Sequence, residues 1–316
     1  MRIFGDFFGF GGFWKEPEGA WSWQHILFTS IMVSTAIFLA IFLGLKKRYK
    51  YEGEKKIPIV VSAIAIDVVE IFKIIIFCCR SNNIPNTLLD VLPLYLCSMM
   101  LIALPLAAFG KGKLREAALD FVLIFGFIAG ALGTVGAAQN YAAYPVLAFD
   151  NIVSAITHCI SCFASLYIGI TCMARLRLRN MPITLCMLFA FALFAHITNQ
   201  FSGTTNYMFL ERHDGTPYSI FWDMVGGNKV LYSIVVILIF VLLIVGFYAY
   251  KLICYLATKK PGVFLEKIPH IYYEELLTRS TRRLERNGKY FISHNHYLLA
   301  NECYAILLCR KETSEY

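Results

Sequence analysis

Seven apolar stretches of about twenty residues, separated by polar or charged turns, constrain this chain more than any other feature. A stretch of that length crosses the roughly 30 Å hydrocarbon core of a bilayer as a helix. Inside that core every backbone N–H and C=O needs an internal partner, so helices are the spanning form that stretches of this kind can take. They run from about 25 to 44, 57 to 79, 91 to 109, 117 to 138, 152 to 173, 182 to 198 and 230 to 255. The expected fold class is therefore all-α: a polytopic membrane protein with seven transmembrane helices. A mean hydropathy of +0.60 and a charged fraction of 16% exclude a soluble domain of 316 residues.

The basic residues set the expected orientation. Lys46, Lys47, Arg48 and Lys50 follow the first stretch, Lys111, Lys113 and Arg115 the third, Arg175, Arg177 and Arg179 the fifth, and Lys259 and Lys260 the seventh. The intervening loops carry chiefly Arg80 and Arg212. Positive residues stay on the cytoplasmic side, so the N-terminus is expected outside and the C-terminus in the cytoplasm. The net charge of +8 follows from this arrangement and does not point to nucleic acid. The location implied is the cell membrane, as a multi-pass protein, and the plasma membrane if the source is bacterial.

Three segments follow. Residues 1–24, rich in Phe, Gly and Trp, are too polar to span and suit the interface, with their rings at headgroup depth. A lid over a lipid site is the sharper alternative for them. Residues 25–257 form the transmembrane domain. Residues 258–316 form a basic cytoplasmic tail, with Arg279, Arg282, Arg283 and Arg286 on a helix-like piece suited to anionic headgroups. His294 and His296 in that tail read as solvated rather than as metal ligands, and Cys159 and Cys162, despite their C-x-x-C spacing, read as packing. No metal is expected.

Ionisable groups inside a span cost about 2.5–3.5 kcal/mol each on insertion scales, so they call for an explanation. Asp67, Glu70 and Lys73 interrupt the second stretch at i, i+3 and i+6. Glu70 and Lys73 are neighbours on one helix face and can pair. Their plainest role is a structural ion pair; their sharper role is the wall of a site or ion path.

The stretch Leu92-Pro93-Leu94-Tyr95-Leu96-Cys97-Ser98 reads as the start of the third helix, with Pro93 in its first turn and Cys97 one turn further in. Counting 1.5 Å per residue, Cys97 lies about 10 Å inside from Asp90, and His158 about 12 Å inside from Asp150. Lys73 falls at a similar level, Glu70 slightly deeper, and His196 and Asn199 end the sixth stretch on the same side. The inner half of the membrane is nearly free of ionisable groups away from the loop edges. This distribution suggests one polar pocket toward the outer leaflet. A thiol and an imidazole at equal depth suit nucleophilic catalysis, in which the imidazole takes the thiol proton. Glu70 would orient the imidazole, and Lys73 or Asn199 would stabilise an oxyanion. At that depth the accessible bonds are lipid esters.

The Leu92–Cys97 stretch, the later Asn206-Tyr207-Met208 and the His25 that opens the first span resemble the YwaF-type integral membrane family. The likeness covers about Trp21 to Ala257. That family is similar to an animal transmembrane acyltransferase that remodels ether phospholipids through a catalytic Cys and a His. By this likeness the matching positions are Cys97 and His158, and Asn206 joins the supporting residues Glu70, Lys73, His196 and Asn199. Tyr95 and Ser98 depart from the pattern, standing where the bacterial and the animal proteins respectively carry His. The function implied is a lipid acyltransferase, transacylase or acyl hydrolase whose partners are phospholipid and lysophospholipid, with no cofactor. The rival expectation is a small-molecule or ion-coupled transporter, or a receptor-like binding protein, using the Asp67, Glu70 and Lys73 face.

Overall fold

The computed structural model describes residues 7–13, 15–214, 216 and 218–259, with side chains to 256. The expected basic helix over 273–286 and the His294–His296 pair lie outside these residues. The described residues form helices and turns, with no strand among them.

Helix α1 spans Trp23–Lys47, started by Ser22, whose Oγ accepts the His25 N–H at 3.3 Å. Helix α2, Glu52–Arg80, is 29 residues long and contains Pro58. Pro58 has no N–H to give to the carbonyl four residues back, and that freed Glu54 carbonyl accepts Lys47 Nζ at 3.3 Å. The short α3, Ile84–Asp90, and α4, Met100–Phe109, follow. Helix α5, Gly112–Phe127, runs into a π turn over Ile128–Leu132 and a last turn at Gly133–Val135. Helix α6 is Ala138–Ala143 and α7 is Phe149–Ile170. Helix α8, Met181–Ser202, ends on Gly203 in the left-handed region at φ 65°, where the lack of a Cβ removes the steric penalty. The short α9, Ser219–Met224, precedes α10, Lys229–Lys259.

Five segments are long and apolar enough to cross a membrane: Trp23–Lys47, Gly112–Ala143, Phe149–Ile170, Leu178–Ser202 and Lys229–Leu256. They match the first, fourth, fifth, sixth and seventh expected spans. Helix α2 is long enough, but it carries Asp67, Glu70 and Lys73 in its apolar part. The expected third span is corrected. Helix α4 begins at Met100, not near Val91, and its ten residues rise only about 15 Å. Pro93 therefore does not sit in the first turn of a helix.

The reason is local as well as tertiary. Pro93 supplies no N–H and restricts the residue before it, so the chain turns instead of winding on from α3. Leu94 N–H bonds back to Leu92 O at 2.8 Å, and three-residue bonds such as Leu101 N–H to Ser98 O at 3.0 Å tighten the approach to α4. The Tyr95 ring meets Tyr207 edge-on, with centroids 4.9 Å apart. In a bilayer such irregular backbone is tolerated where it is buried in protein or lines a cavity.

Helix α7 is the centre of the fold, packed against α1, α2 and α5. Its approach to α5 depends on missing side chains. A Cβ on Gly126 would lie 2.8 Å from Ser161 O, and one on Gly130 would lie 2.4 Å from His158 O. The glycine-rich stretch thus brings the two helix backbones together, as small residues do in membrane bundles. The core around them is buried and rich in alanine and aromatics, including Ala103, Ala107, Ala118, Phe121, Phe125 and Tyr167.

Candidate functional site

Helices α2 and α7 run antiparallel, and their contacts fix the register. At one end Tyr167 Oη donates to Lys55 O at 3.0 Å. At the other, Arg80 Nη2 donates to both Asp150 oxygens, at 3.1 and 3.0 Å. Seven residues in from Arg80 is Lys73, and eight residues in from Asp150 is His158. Rises of about 10 and 12 Å along the facing helices bring them to one level. Lys73 forms an ion pair with Glu70, one turn away on the same face, and Glu70 is buried.

The candidate residues come from three elements: Cys97 from the 91–99 turns, His158 from α7, and Lys73 and Glu70 from α2. Cys97 Sγ has Ser98 Oγ as its polar neighbour at 4.0 Å, and no hydrogen bond joins it to His158. The His158 ring lies against Gly133, where a Cβ would be 3.1 Å from Nε2. His158 Nδ1 is buried and has no hydrogen-bond partner among the described residues. The π turn Ile128–Leu132 sits just before that contact, a distortion often found at functional sites.

Three supporting roles change. Glu70 is engaged with Lys73, so no carboxylate orients His158, and the expected Cys–His–Glu arrangement does not form. His196 does not join the group: its side chain is 52% exposed and pairs through Nδ1 with Glu211 at 3.5 Å. Asn199 is buried, and both ends of its amide bond to the 205–207 turn. Its Oδ1 accepts the Tyr207 N–H at 2.8 Å and Thr205 Oγ1 at 3.0 Å, and its Nδ2 donates to Tyr207 O at 3.1 Å. It is a clamp rather than an oxyanion donor.

Asn206 is likewise a clamp. Its Nδ2 donates to Arg212 O and Asp214 Oδ2, both at 2.6 Å, and its Oδ1 accepts the Glu211 N–H at 2.9 Å. Its neighbours Met208 and Phe209 sit at positive φ, 56° and 55°, a conformation that such clamping sustains. Tyr207 Oη donates to Leu89 O at 2.6 Å, and its ring backs onto Tyr95. The late Asn-Tyr-Met motif therefore buttresses the turn that carries Cys97. Burial pushes the Tyr207 phenol up, so it stays protonated and keeps donating.

His25, the third motif residue, is fully buried and stacks on Tyr141 with centroids 3.9 Å apart. Its Nδ1 accepts the Trp21 N–H at 3.0 Å, which puts the proton on Nε2, and Nε2 has no partner among the described residues.

One ionisable group escaped the sequence reading. Asp120, midway along α5, is completely buried. It accepts Leu176 N–H at 3.0 Å, Asn180 Nδ2 at 3.0 Å and Tyr248 Oη at 2.9 Å. The signal was present, since an aspartate in an apolar helix marks a buried polar network. Asp120 lies near the edge of the expected fourth span, and its saturated bonding gives it a structural role.

Asp67 is half-buried on α2 and has no hydrogen-bond or ion-pair partner among the described residues. Cys159 and Cys162 are buried free thiols against α5. Among the described residues no three His, Cys, Asp or Glu side chains converge to hold a metal ion.

Comparison with known proteins places the chain in a family without describing its chemistry. No curated protein and no solved structure matches it. The model of the TMEM164 family, a membrane protein family, matches residues 20–250, which include every residue of the site above. Its helices are long and apolar enough to cross a membrane several times. The chain is a multi-pass membrane protein that belongs to the TMEM164 family.

Proposed function

We propose that this chain is a lipid acyltransferase or transacylase, or an acyl hydrolase, with Cys97 as nucleophile and His158 as base. The observation that carries the reading is the buried His158 Nδ1, which has no hydrogen-bond partner among the described residues and lies at the level of the Lys73–Glu70 pair on the facing helix. The thiolate is the reactive form of Cys97, and His158 is the group proposed to generate it. The unpartnered Nδ1 of His158 is an open proton acceptor.

The step balances without a cofactor. The Cys97 sulfur attacks the carbonyl carbon of a phospholipid ester as His158 takes the thiol proton. The ester C–O bond breaks, the proton passes to the departing alkoxide, and the acyl group rests on sulfur. A lysophospholipid hydroxyl or water then reverses the sequence. Hydrogen bonds of this kind often close only with substrate in place, which suits the absence of a direct thiol–imidazole bond.

The finer topology belongs to the same reading: seven spans, N-terminus outside, C-terminus cytoplasmic, in a cell membrane. So does the likeness to the YwaF-type proteins and the animal ether-lipid acyltransferase. Phospholipid and lysophospholipid are the partners. The assay is purified full-length chain with labelled phospholipid and unlabelled lysophospholipid. Cys97→Ala is expected to abolish acyl exchange while the protein still inserts; unchanged exchange sinks the reading.

The transport reading is favoured by one observation, the unpartnered Asp67. Solute uptake into vesicles that depends on Asp67 and ignores Cys97 would select it instead.

A further inference from the structure

The structure assigns a phosphodiester-binding subsite to the cleft between the outer turns of α2, α3 and α7, which we infer receives the headgroup of the lipid whose ester lies near Cys97. This assignment rests on the acyl-transfer reading for the identity of the lipid, but not for the binding chemistry. The cleft has a volume of about 220 Å³ and is lined by Phe77, Arg80, Ser81, Thr87, Tyr144 and Asp150.

Arg80 is the anion-binding group. Asp150 engages only its Nη2, and its buried Nε has no partner among the described residues. Its guanidinium lies 4.5 Å from the Phe77 ring centroid, which together with Asp150 fixes its plane. Its Nε is buried and its Nη1 lies beside Gly9, so a headgroup oxygen reaches this guanidinium from the cleft side, and the fixed plane loses little rotamer freedom on binding.

Thr87 on α3 and Ser81, just past the end of α2, also line the cleft. Thr87 Oγ1 donates to Ser81 Oγ at 2.5 Å and meets Asn83 O at 3.1 Å, while Ser81 Oγ also accepts the Asn83 N–H at 2.9 Å, which leaves the Ser81 proton to donate. Tyr144 closes the opposite wall. Burial pushes its phenol up, with Asp150 adding to the effect and Arg80 opposing it. That hydroxyl therefore stays protonated and able to donate.

Charge narrows the ligand. Arg80 and Asp150 together are close to neutral, and Lys73 is itself paired with Glu70, so the cleft suits a phosphodiester whose headgroup also carries a cation to meet Asp150, as a zwitterionic phospholipid does. A phosphodiester carries one charge. A phosphate dianion would meet the Asp150 carboxylate with its second charge. Position points the same way. Arg80 and Lys73 are seven residues apart on one helix, two turns along the same stripe and about 10 Å. A phosphate held by Arg80 thus places the glycerol ester of the same molecule toward Lys73, Cys97 and His158. Free phosphate has no such continuation.

The test is equilibrium binding to the full chain in maltoside micelles, which carry no phosphate. The probes are a lysophosphatidylcholine and a monoacylglycerol bearing the same fluorescent tail. Wild type is expected to prefer the phospholipid by about tenfold or more, the scale of one charge-assisted hydrogen bond. Arg80→Gln with Asp150→Asn removes both charges while keeping a bonded pair, so the fold is retained; it should erase the preference and leave monoacylglycerol affinity unchanged. Ser81→Ala should reduce the preference severalfold. Cys97→Ala should leave it intact, so loss of acyl exchange and loss of headgroup binding are separate outcomes. Equal affinity for the two probes in wild type overturns the subsite, as does an undiminished preference in the double variant. Displacement by inorganic phosphate at the concentration of the phospholipid overturns the lipid as its source.

Discussion

The two ends of α7 treat buried polar groups in opposite ways. At the Ile170 end they bond to one another. Asp120 accepts three donors, Tyr248 Oη also meets Thr184 Oγ1 at 3.0 Å, and Lys55 Nζ donates to Thr171 O at 3.2 Å. Asn180 Oδ1 is the single orphan there. At the Phe149 end, His25 Nε2, Arg80 Nε, Asn151 Oδ1 and His158 Nδ1 are all buried without partners among the described residues. A buried polar atom left unpaired costs about 1–3 kcal/mol, so folds rarely keep several together without a use for them. The lesson is that the saturated end holds the bundle and the unsaturated end is arranged to meet something else.

Mutations should separate the ends. Cys97→Ala has the largest expected effect, at least about a hundredfold loss of acyl exchange, with little change in thermal unfolding, since removing a nucleophile abolishes covalent catalysis. Asp120→Ala should do the reverse. It strands the Leu176 N–H, Asn180 and Tyr248, and should lower stability by about 3 kcal/mol or more in a detergent melt. Retention of the wild-type melting temperature by Asp120→Ala would break the comparison.

The glycines sharpen it. Gly130→Ala drives a Cβ into the α7 backbone and should cost about 1–3 kcal/mol of stability. Gly133→Ala pushes instead on the His158 ring and should cut exchange about tenfold through misplacement, with a smaller stability loss. Equal effects of both substitutions on activity and stability would show that the π turn only packs.

Tyr207→Phe removes the bond to Leu89 O, a loss of about 1 kcal/mol that should also loosen the Cys97 turn. The smallest effect concerns the N-terminal segment, whose Phe7 and Phe8 rings lie 6.1 and 5.3 Å from Phe149. Burial pushes the Glu18 carboxyl up, but Lys15 and the Val146 N–H, donating to it at 2.8 Å, outweigh that and hold it below its ordinary value. A lowered carboxyl contributes stability that is present above the unfolded pKa and fades as pH falls through the folded one. Glu18→Gln should therefore lower stability slightly at neutral pH, converge with wild type in acid, and so flatten the acid limb of the stability curve.

Much of the fold was legible in the sequence because length and apolarity nearly dictate a spanning helix. Five of the seven stretches became such helices with ends within a few residues, and Gly126 and Gly130 pack as small residues should. The third stretch was misread because apolarity alone cannot tell helix from turn. Pro93 and the Tyr95–Tyr207 contact decide that, and the second partner lies more than a hundred residues away. The level match of Lys73 and His158 was readable from a 1.5 Å rise, whereas that count does not hold for Cys97, which lies in turns rather than a helix. Which face each residue takes was not, so His196 was included although it turns outward to Glu211. Asn199 and Asn206 were visible as buried amides but not as clamps, because their partners are backbone atoms that composition does not reveal.

The most direct measurement is intact and peptide mass spectrometry of the purified chain after incubation with a phospholipid of defined acyl chains. The account predicts an acyl thioester on the Cys97 peptide, labile to hydroxylamine, absent from Cys97→Ala and formed slowly in His158→Ala. An unmodified Cys97 in a preparation that still exchanges acyl chains, or an adduct on Cys159 or Cys162 instead, would contradict it.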